Sequence, residues 1–75
     1  MNYETSYNAV VETLGSQAEL ARILGKRQST VSYWRKSGIP AEMAVLLEKA
    51  SGGVIPLWVS RPDLWPKPVG KKQNA

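Results

Sequence analysis

The chain has no cysteine and no histidine among its 75 residues. Without thiols it forms no disulfide and offers no thiolate to a metal. Without imidazole it lacks the commonest zinc ligand and the usual general base. Zinc chemistry is thereby excluded in practice, and no cofactor is expected. No apolar run approaches the roughly 20 residues of a membrane span. The opening MNYETSYNAVV has no basic region followed by an apolar one, so the expectation is a cytoplasmic protein with no membrane partner and no signal peptide. Acids are few, six against ten Lys and Arg, giving a formal charge of +4 and a pI near 9.7. The acids are scattered, no serine has a histidine to activate it, and no Gly-rich phosphate loop precedes a helix, so an enzyme is not expected and no small-molecule ligand is evident. Nothing reads as a sheet with stacking aromatics, which argues against an RNA-binding platform. At this length there is room for one small domain with a barely adequate core.

What the chain does have is a stretch from Ser16 to Lys36, SQAELARILGKRQSTVSYWRK, that reads as two short helices joined at Gly25. Ser16 can accept from the freed N–H groups of a helix start, and Glu19 three residues on can reach back, which makes a capping box and starts a helix near Gln17. Ala18, Ala21 and Leu24, with Leu20 beside them, share a face that should be buried, while Glu19, Arg22 and Ile23 fall elsewhere. Gly25 takes the place where a chain leaving a helix needs positive φ. In the second helix, about residues 28–36, Val31 and Trp34 stand three apart and fold back on Ala21 and Leu24. Gln28, Ser29, Ser32, Tyr33 and Lys36 point away, leaving an outer face with almost no aliphatic carbon. Lys26, Arg27, Arg35 and Lys36 bracket this helix with no acid between them, a placement that suits a polyanion.

This arrangement resembles the helix-turn-helix of phage Cro-type and repressor proteins. Ala21 corresponds to the residue where the two helices cross, Gly25 to the turn, and Val31 and Trp34 to the buried positions of the recognition helix. The resemblance implies that the start of the second helix meets base edges in the major groove of double-stranded DNA while the preceding helix lies across the backbone. It makes Gln28, Ser29, Ser32 and Tyr33 candidate base readers, with Lys26, Arg27, Arg35 and Lys36 beside them, and Gln17 and Thr30 candidate phosphate contacts. The chemistry of these residue types fits such contacts, since Gln bonds adenine in bidentate fashion, Arg bonds guanine, and N–H groups at a helix start favour phosphate. One position departs from the pattern. Many such sequences carry Ser or Thr just before the second helix, whereas this one has Lys26-Arg27, so either the cap shifts to Ser29 or the start frays. The basic pair opposes the helix dipole and favours DNA.

Around this unit, residues 1 to 3 are expected to be loose. A helix fits from about Glu4 to Leu14, with Ala9, Val10, Leu14 and Tyr7 on its inner side, Tyr7 as a core-edge aromatic. After Ser37-Gly38-Ile39-Pro40, a fourth helix spans about Ala41 to Ala50, started by proline and ended by Ser51-Gly52-Gly53. Ile39, Met43, Ala44, Leu47 and Leu46 supply its buried side. From Val54 to Trp65 the chain is apolar, but Pro56 and Pro62 leave space for at most a one- or two-turn helix. The remainder, residues 67–75, reads as a disordered basic tail whose Lys67, Lys71 and Lys72 can touch phosphate nonspecifically.

The run Arg61-Pro62-Asp63-Leu64-Trp65-Pro66 after Gly52-Gly53, taken with QAELARILG and QSTVSYW, is similar to the YdaS-like antitoxin family, a branch of Cro-like regulators of phages, prophages and bacterial chromosomes. The likeness covers roughly residues 14 to 66. It implies an all-α fold, a small lambda-repressor-like bundle of four to five short helices over residues 1–66. It also implies a sequence-specific transcriptional repressor working at a palindromic or pseudo-palindromic operator as a homodimer. Trp58 and Trp65 exceed what a four-helix core needs. They either cover the bundle or, with Leu57 and Leu64, form dimer contacts. The alternative function is an antitoxin-like interaction module that neutralises a partner protein through the apolar 54–65 segment, with DNA binding as autoregulation.

Overall fold

Glycine and proline cut the described residues into five helices. The computed structural model describes residues 3–67, and they fold as α1 (Tyr3–Leu14), α2 (Gln17–Leu24), α3 (Gln28–Ser37), α4 (Ala41–Ala50) and the single turn α5 (Leu57–Ser60), with no strand among them. The all-helical bundle read from the sequence is what the structure has. The expected disordered tail, apart from Lys67, lies outside the described residues, as do Met1 and Asn2 of the expected loose start. Tyr3 is not loose: it opens α1 and is half-buried. No helix among the described residues is long and apolar enough to cross a membrane.

The helices α1, α2 and α3 pack on one another; α4 packs on α2, and α5 on α1 and α4. One core results, built from Tyr7, Val10, Leu20, Ala21, Leu24, Val31, Trp34, Ile39, Ala44, Leu47 and Ile55. Each fully buried aliphatic side chain in it contributes about 1.5–3 kcal/mol relative to exposure.

The local signals explain most of these boundaries. Ser16 is extended, and its Oγ accepts from the Glu19 N–H at 3.1 Å. The reciprocal half of the expected capping box does not form, because the Glu19 carboxylate instead takes a forked hydrogen bond from Arg22 one turn on. At the other end Gly25 adopts the left-handed conformation (φ 66°, ψ 34°), and the Lys26 N–H donates back to the Ala21 carbonyl at 2.9 Å. That is the Schellman closure, and it turns the chain sharply into α3.

Three sequence expectations need correction. Ala18 is exposed, because the buried stripe of α2 centres on Leu20 and Leu24 and Ala18 falls beyond its edge; Ile23, on the opposite flank, packs against the core. Leu46 is 41% exposed, since Met43, Ala44 and Leu47 form the inner side of α4. Tyr7 is no edge residue. It is 1% exposed, within the core.

The C-terminal segment is tied down by polar bonds as much as by apolar contact. Ser51 Oγ accepts from the Ile55 N–H at 3.0 Å, which turns Ile55 into the core and leaves Val54 62% exposed. Pro56 then occupies the N-cap position of α5. Beyond that single turn, Arg61 donates to the Ile39 carbonyl at 2.9 Å and makes a two-pronged pair with Asp63 at 2.9 and 2.7 Å. Its guanidinium also lies 5.2 Å from the ring centre of Tyr3. Arg61 therefore joins the segment after α5 to the α3–α4 loop and to the first residue of α1. The same loop holds Gly38 (φ 91°), where a Cβ would stand 2.8 Å from the Tyr3 ring.

Candidate nucleic-acid interface

Val31 is fully buried and Trp34 5% exposed, so α3 is anchored on the side that faces α1 and α2. Helical periodicity then fixes what lies outside. Gln28, Ser29 and Thr30 in the first turn are exposed, Ser32 is half-buried, and Tyr33 is 71% exposed. A single exposed aromatic is ordinary on a protein surface, and what singles Tyr33 out is its place on this polar, cation-flanked face. Lys26, Arg27, Arg35 and Lys36 are exposed at the two ends of α3, and among the described residues none of them makes an ion pair. The structure brings nine of the ten sequence-predicted contact residues onto or beside one helix. The tenth, Gln17, opens α2 and reaches α3 through its side chain.

The start of α3 resolves the cap alternatives. The helix begins at Gln28 with Arg27 extended at the N-cap position (φ −76°, ψ 152°) and no side-chain cap. The Arg27 carbonyl accepts from Thr30 and Val31 N–H groups, both at 3.1 Å, so the turn closes on backbone alone and the cap does not move to Ser29. The first N–H groups of such a helix have no partner within it and point outward. Together with the adjacent Lys26 and Arg27 they give this end of α3 a positive potential suited to phosphate.

Beneath this surface lies a connection that spacing alone does not reveal. The Tyr7 hydroxyl of α1 donates to Gln17 Oε1 at 2.7 Å, and Gln17 Nε2 donates to the Gln28 carbonyl at 3.4 Å. The Arg35 guanidinium lies 5.5 Å from the Tyr7 ring centre. Burial pushes the Tyr7 phenol above its ordinary range, with the positive charge of Arg35 pulling the other way. The hydroxyl is therefore a protonated donor at neutral pH. A buried Tyr must find a partner for its O–H, which signals from sequence that such a bond exists without naming the acceptor.

The matching family model is that described as bacterial toxin YdaS, and it covers residues 8–68. The chain belongs to this YdaS family. The match takes in α2 to α5 and the second half of α1, a wider span than the motif likeness over residues 14–66. The YdaS description names a toxin, where the sequence likeness was to an antitoxin-like branch. Comparison with curated proteins and with solved structures gave no match. Membership of the YdaS family is compatible with a small phage-type regulator or a toxin–antitoxin component.

The four candidate dimer residues are not equivalent in the fold. Leu57 and Trp65 are half-buried against the core. Trp58 is half-buried with the Lys67 ammonium 5.5 Å from its ring centre. Leu64 is 47% exposed.

Proposed function

We propose that this YdaS-family protein is a sequence-specific double-stranded DNA-binding repressor of the Cro type, acting by occupancy in the cytoplasm of a bacterial host and not by catalysis. The observation that carries the reading is the outer face of α3: polar and aromatic side chains held in water by an inward Val31–Trp34 anchor and flanked by four cations without ion-pair partners among the described residues. In this reading Gln28, Ser29, Ser32 and Tyr33 meet base edges in the major groove. Lys26, Arg27, Arg35, Lys36, Thr30 and Gln17 hold the backbone. Each good bidentate base contact discriminates by about 1–3 kcal/mol. Neutralising up to about four phosphates per subunit gives a slope of log K against log salt of about −3 to −4. A homodimer on a palindromic operator doubles both terms, and bound there it blocks polymerase sterically.

Selection from a random duplex pool, followed by fluorescence anisotropy at physiological salt, tests this. The expected product is an inverted repeat bound at least about a thousandfold more tightly than a scrambled duplex, on the order expected for specific recognition. Equal affinity for the two would overturn the reading. A second reading, an interaction module that neutralises or engages a partner protein, draws support from the exposed Val54 and Leu64 of the 54–65 segment and from the toxin named in the family description. Co-purification with a neighbouring gene product that survives Tyr33→Ala and fails with Leu64→Asp favours it.

A further inference from the structure

The Tyr7–Gln17–Gln28 connection crosses three helices at one point. Gln17 is a carboxamide, and its two ends are chemically distinct. The Gln28 carbonyl can only accept, so it fixes Nε2 on its own side and turns Oε1 toward Tyr7, whose hydroxyl then donates. The bond on the Tyr7 side is short at 2.7 Å, and that on the Gln28 side, at 3.4 Å and exposed, is the longer and weaker of the two. The Gln17 amide is thus held at one end by a group with almost no freedom, since Tyr7 is packed in the core. At the other end it holds the carbonyl of the first residue of α3. This matters because the first turn of α3 has no side-chain cap of its own. The turn closes on the Arg27 carbonyl and is anchored by buried Val31, and Gln17 is the side chain of another helix that reaches its first residue.

We propose that Tyr7 is a positioning residue for the DNA-reading face: its hydroxyl orients Gln17, and Gln17 holds the uncapped first turn of α3 where Gln28 and Ser29 are presented. The role rests on the DNA-binding reading above. The Tyr7 ring also lies beside Arg35 in the last turn of α3, so removing only the hydroxyl separates orientation from packing.

The test uses the full chain with Tyr7→Phe, Gln17→Met and the double variant. In the free protein, Tyr7→Phe is expected to shift the Gln17 side-chain amide resonances and the backbone amides of Gln28 and Ser29, leaving those of α4 unmoved. On the selected operator it is expected to weaken binding about three- to tenfold, the size of one ordinary hydrogen bond, with the salt slope unchanged because no cation is lost. In the Gln17→Met background, Tyr7→Phe is expected to have no further effect. A general loosening of the bundle would instead lower the salt slope and add to the Gln17→Met loss, and either outcome overturns the inference. So do wild-type resonances at Gln28 in Tyr7→Phe. Should Tyr7→Phe not fold, Gln17→Met decides through the Gln28 and Ser29 shifts in the free protein alone, because Gln17 is itself a proposed phosphate contact and its loss of affinity does not separate the two roles; wild-type resonances there overturn the inference. If the wild-type protein shows no preference for operator, the DNA-binding reading falls and takes the role of Tyr7 with it. Operator binding by wild type with a silent Tyr7→Phe overturns the inference alone.

Discussion

Replacing Gly38 by alanine should be among the most damaging single-methyl additions to this protein, and the cost can be worked from two contributions. The residue has φ 91° and ψ 149°, a region essentially reserved for glycine, and holding an L-residue there costs about 1–3 kcal/mol. The new Cβ would also stand 2.8, 3.0 and 3.1 Å from Cδ1, Cε1 and Cγ of Tyr3. The ring must therefore move, and with it goes the stacking of Arg61, 5.2 Å from the ring centre, about 0.5–1 kcal/mol at a surface site. The total is about 1.5–4 kcal/mol. Gly25 supplies the control: it also has positive φ, but a Cβ there meets nothing within 4 Å. Gly25→Ala should cost only the left-handed penalty, about 1–2 kcal/mol. Urea unfolding followed by tryptophan fluorescence measures both. For a domain of this size, 1 kcal/mol is about 4–8 °C in Tm, so the two variants should be resolved by heating as well. In a Tyr3→Ala background the Gly38→Ala penalty should shrink toward the strain contribution alone. A Gly38→Ala protein no less stable than Gly25→Ala would refute the reasoning, and an unchanged penalty without the Tyr3 ring would refute the steric half of it.

Other expectations follow from the same contacts. Trp34→Ala should destabilise by about 3–5 kcal/mol, as loss of a large buried aromatic does, and bind DNA only in proportion to its folded fraction by circular dichroism. Arg27→Ser gives α3 a side chain able to cap it, so thermal stability should rise by about 0.5–1 kcal/mol while the salt slope of DNA binding drops by about 0.9 per subunit, about 1.8 for the dimer; an unchanged slope would remove Arg27 from the phosphate contacts. Arg61→Ala leaves the Ile39 carbonyl without its partner and should cost about 1.5–3 kcal/mol, without rescue by Arg61→Lys, which cannot make the two-pronged pair with Asp63. In acid, Glu19 beside Arg22 and Asp63 beside Arg61 carry carboxyls held below their ordinary ranges, chiefly by hydrogen bonds from those arginines. The folded chain therefore binds fewer protons than the unfolded one in that window. The stability they contribute is present at neutral pH and fades as pH falls below about 4.5. Urea midpoints between about pH 7 and pH 3 should decline, and Asp63→Asn should flatten the decline.

The helix-turn-helix could be read from the residues because each of its signals is local. Ser16 caps its own helix, Gly25 needs only its own φ, and Val31 with Trp34 needs only helical spacing. The outward placement of Gln28, Ser29 and Tyr33 follows from the same spacing. What could not be read depends on where separate helices meet. Glu19 had two local partners, the Ser16 N–H and Arg22, and only the folded rotamers decide between them. Ala18 and Leu46 lie at the edges of apolar stripes, where a neighbouring helix determines burial. Between Gly53 and Pro62 the prolines destroy periodicity, so nothing in sequence distinguishes buried Ile55 from exposed Val54; a hydroxyl four residues back, on Ser51, does that. Arg61 stood out as part of a motif, yet its partners Ile39 and Tyr3 are 22 and 58 residues away along the chain.

Among the described elements α3 packs on α1 and α2, α4 on α2, and α5 on α1 and α4. The outer sides of α3 and of the α4–α5 pair are thus separate stretches of surface over one shared core. On the proposed DNA-binding reading, substitutions at the exposed Val45, Leu46, Val54 or Leu64 should leave operator choice unchanged. On the same reading, new side chains at 28, 29, 32 and 33 should redirect the protein to other operators with the rest of the bundle untouched.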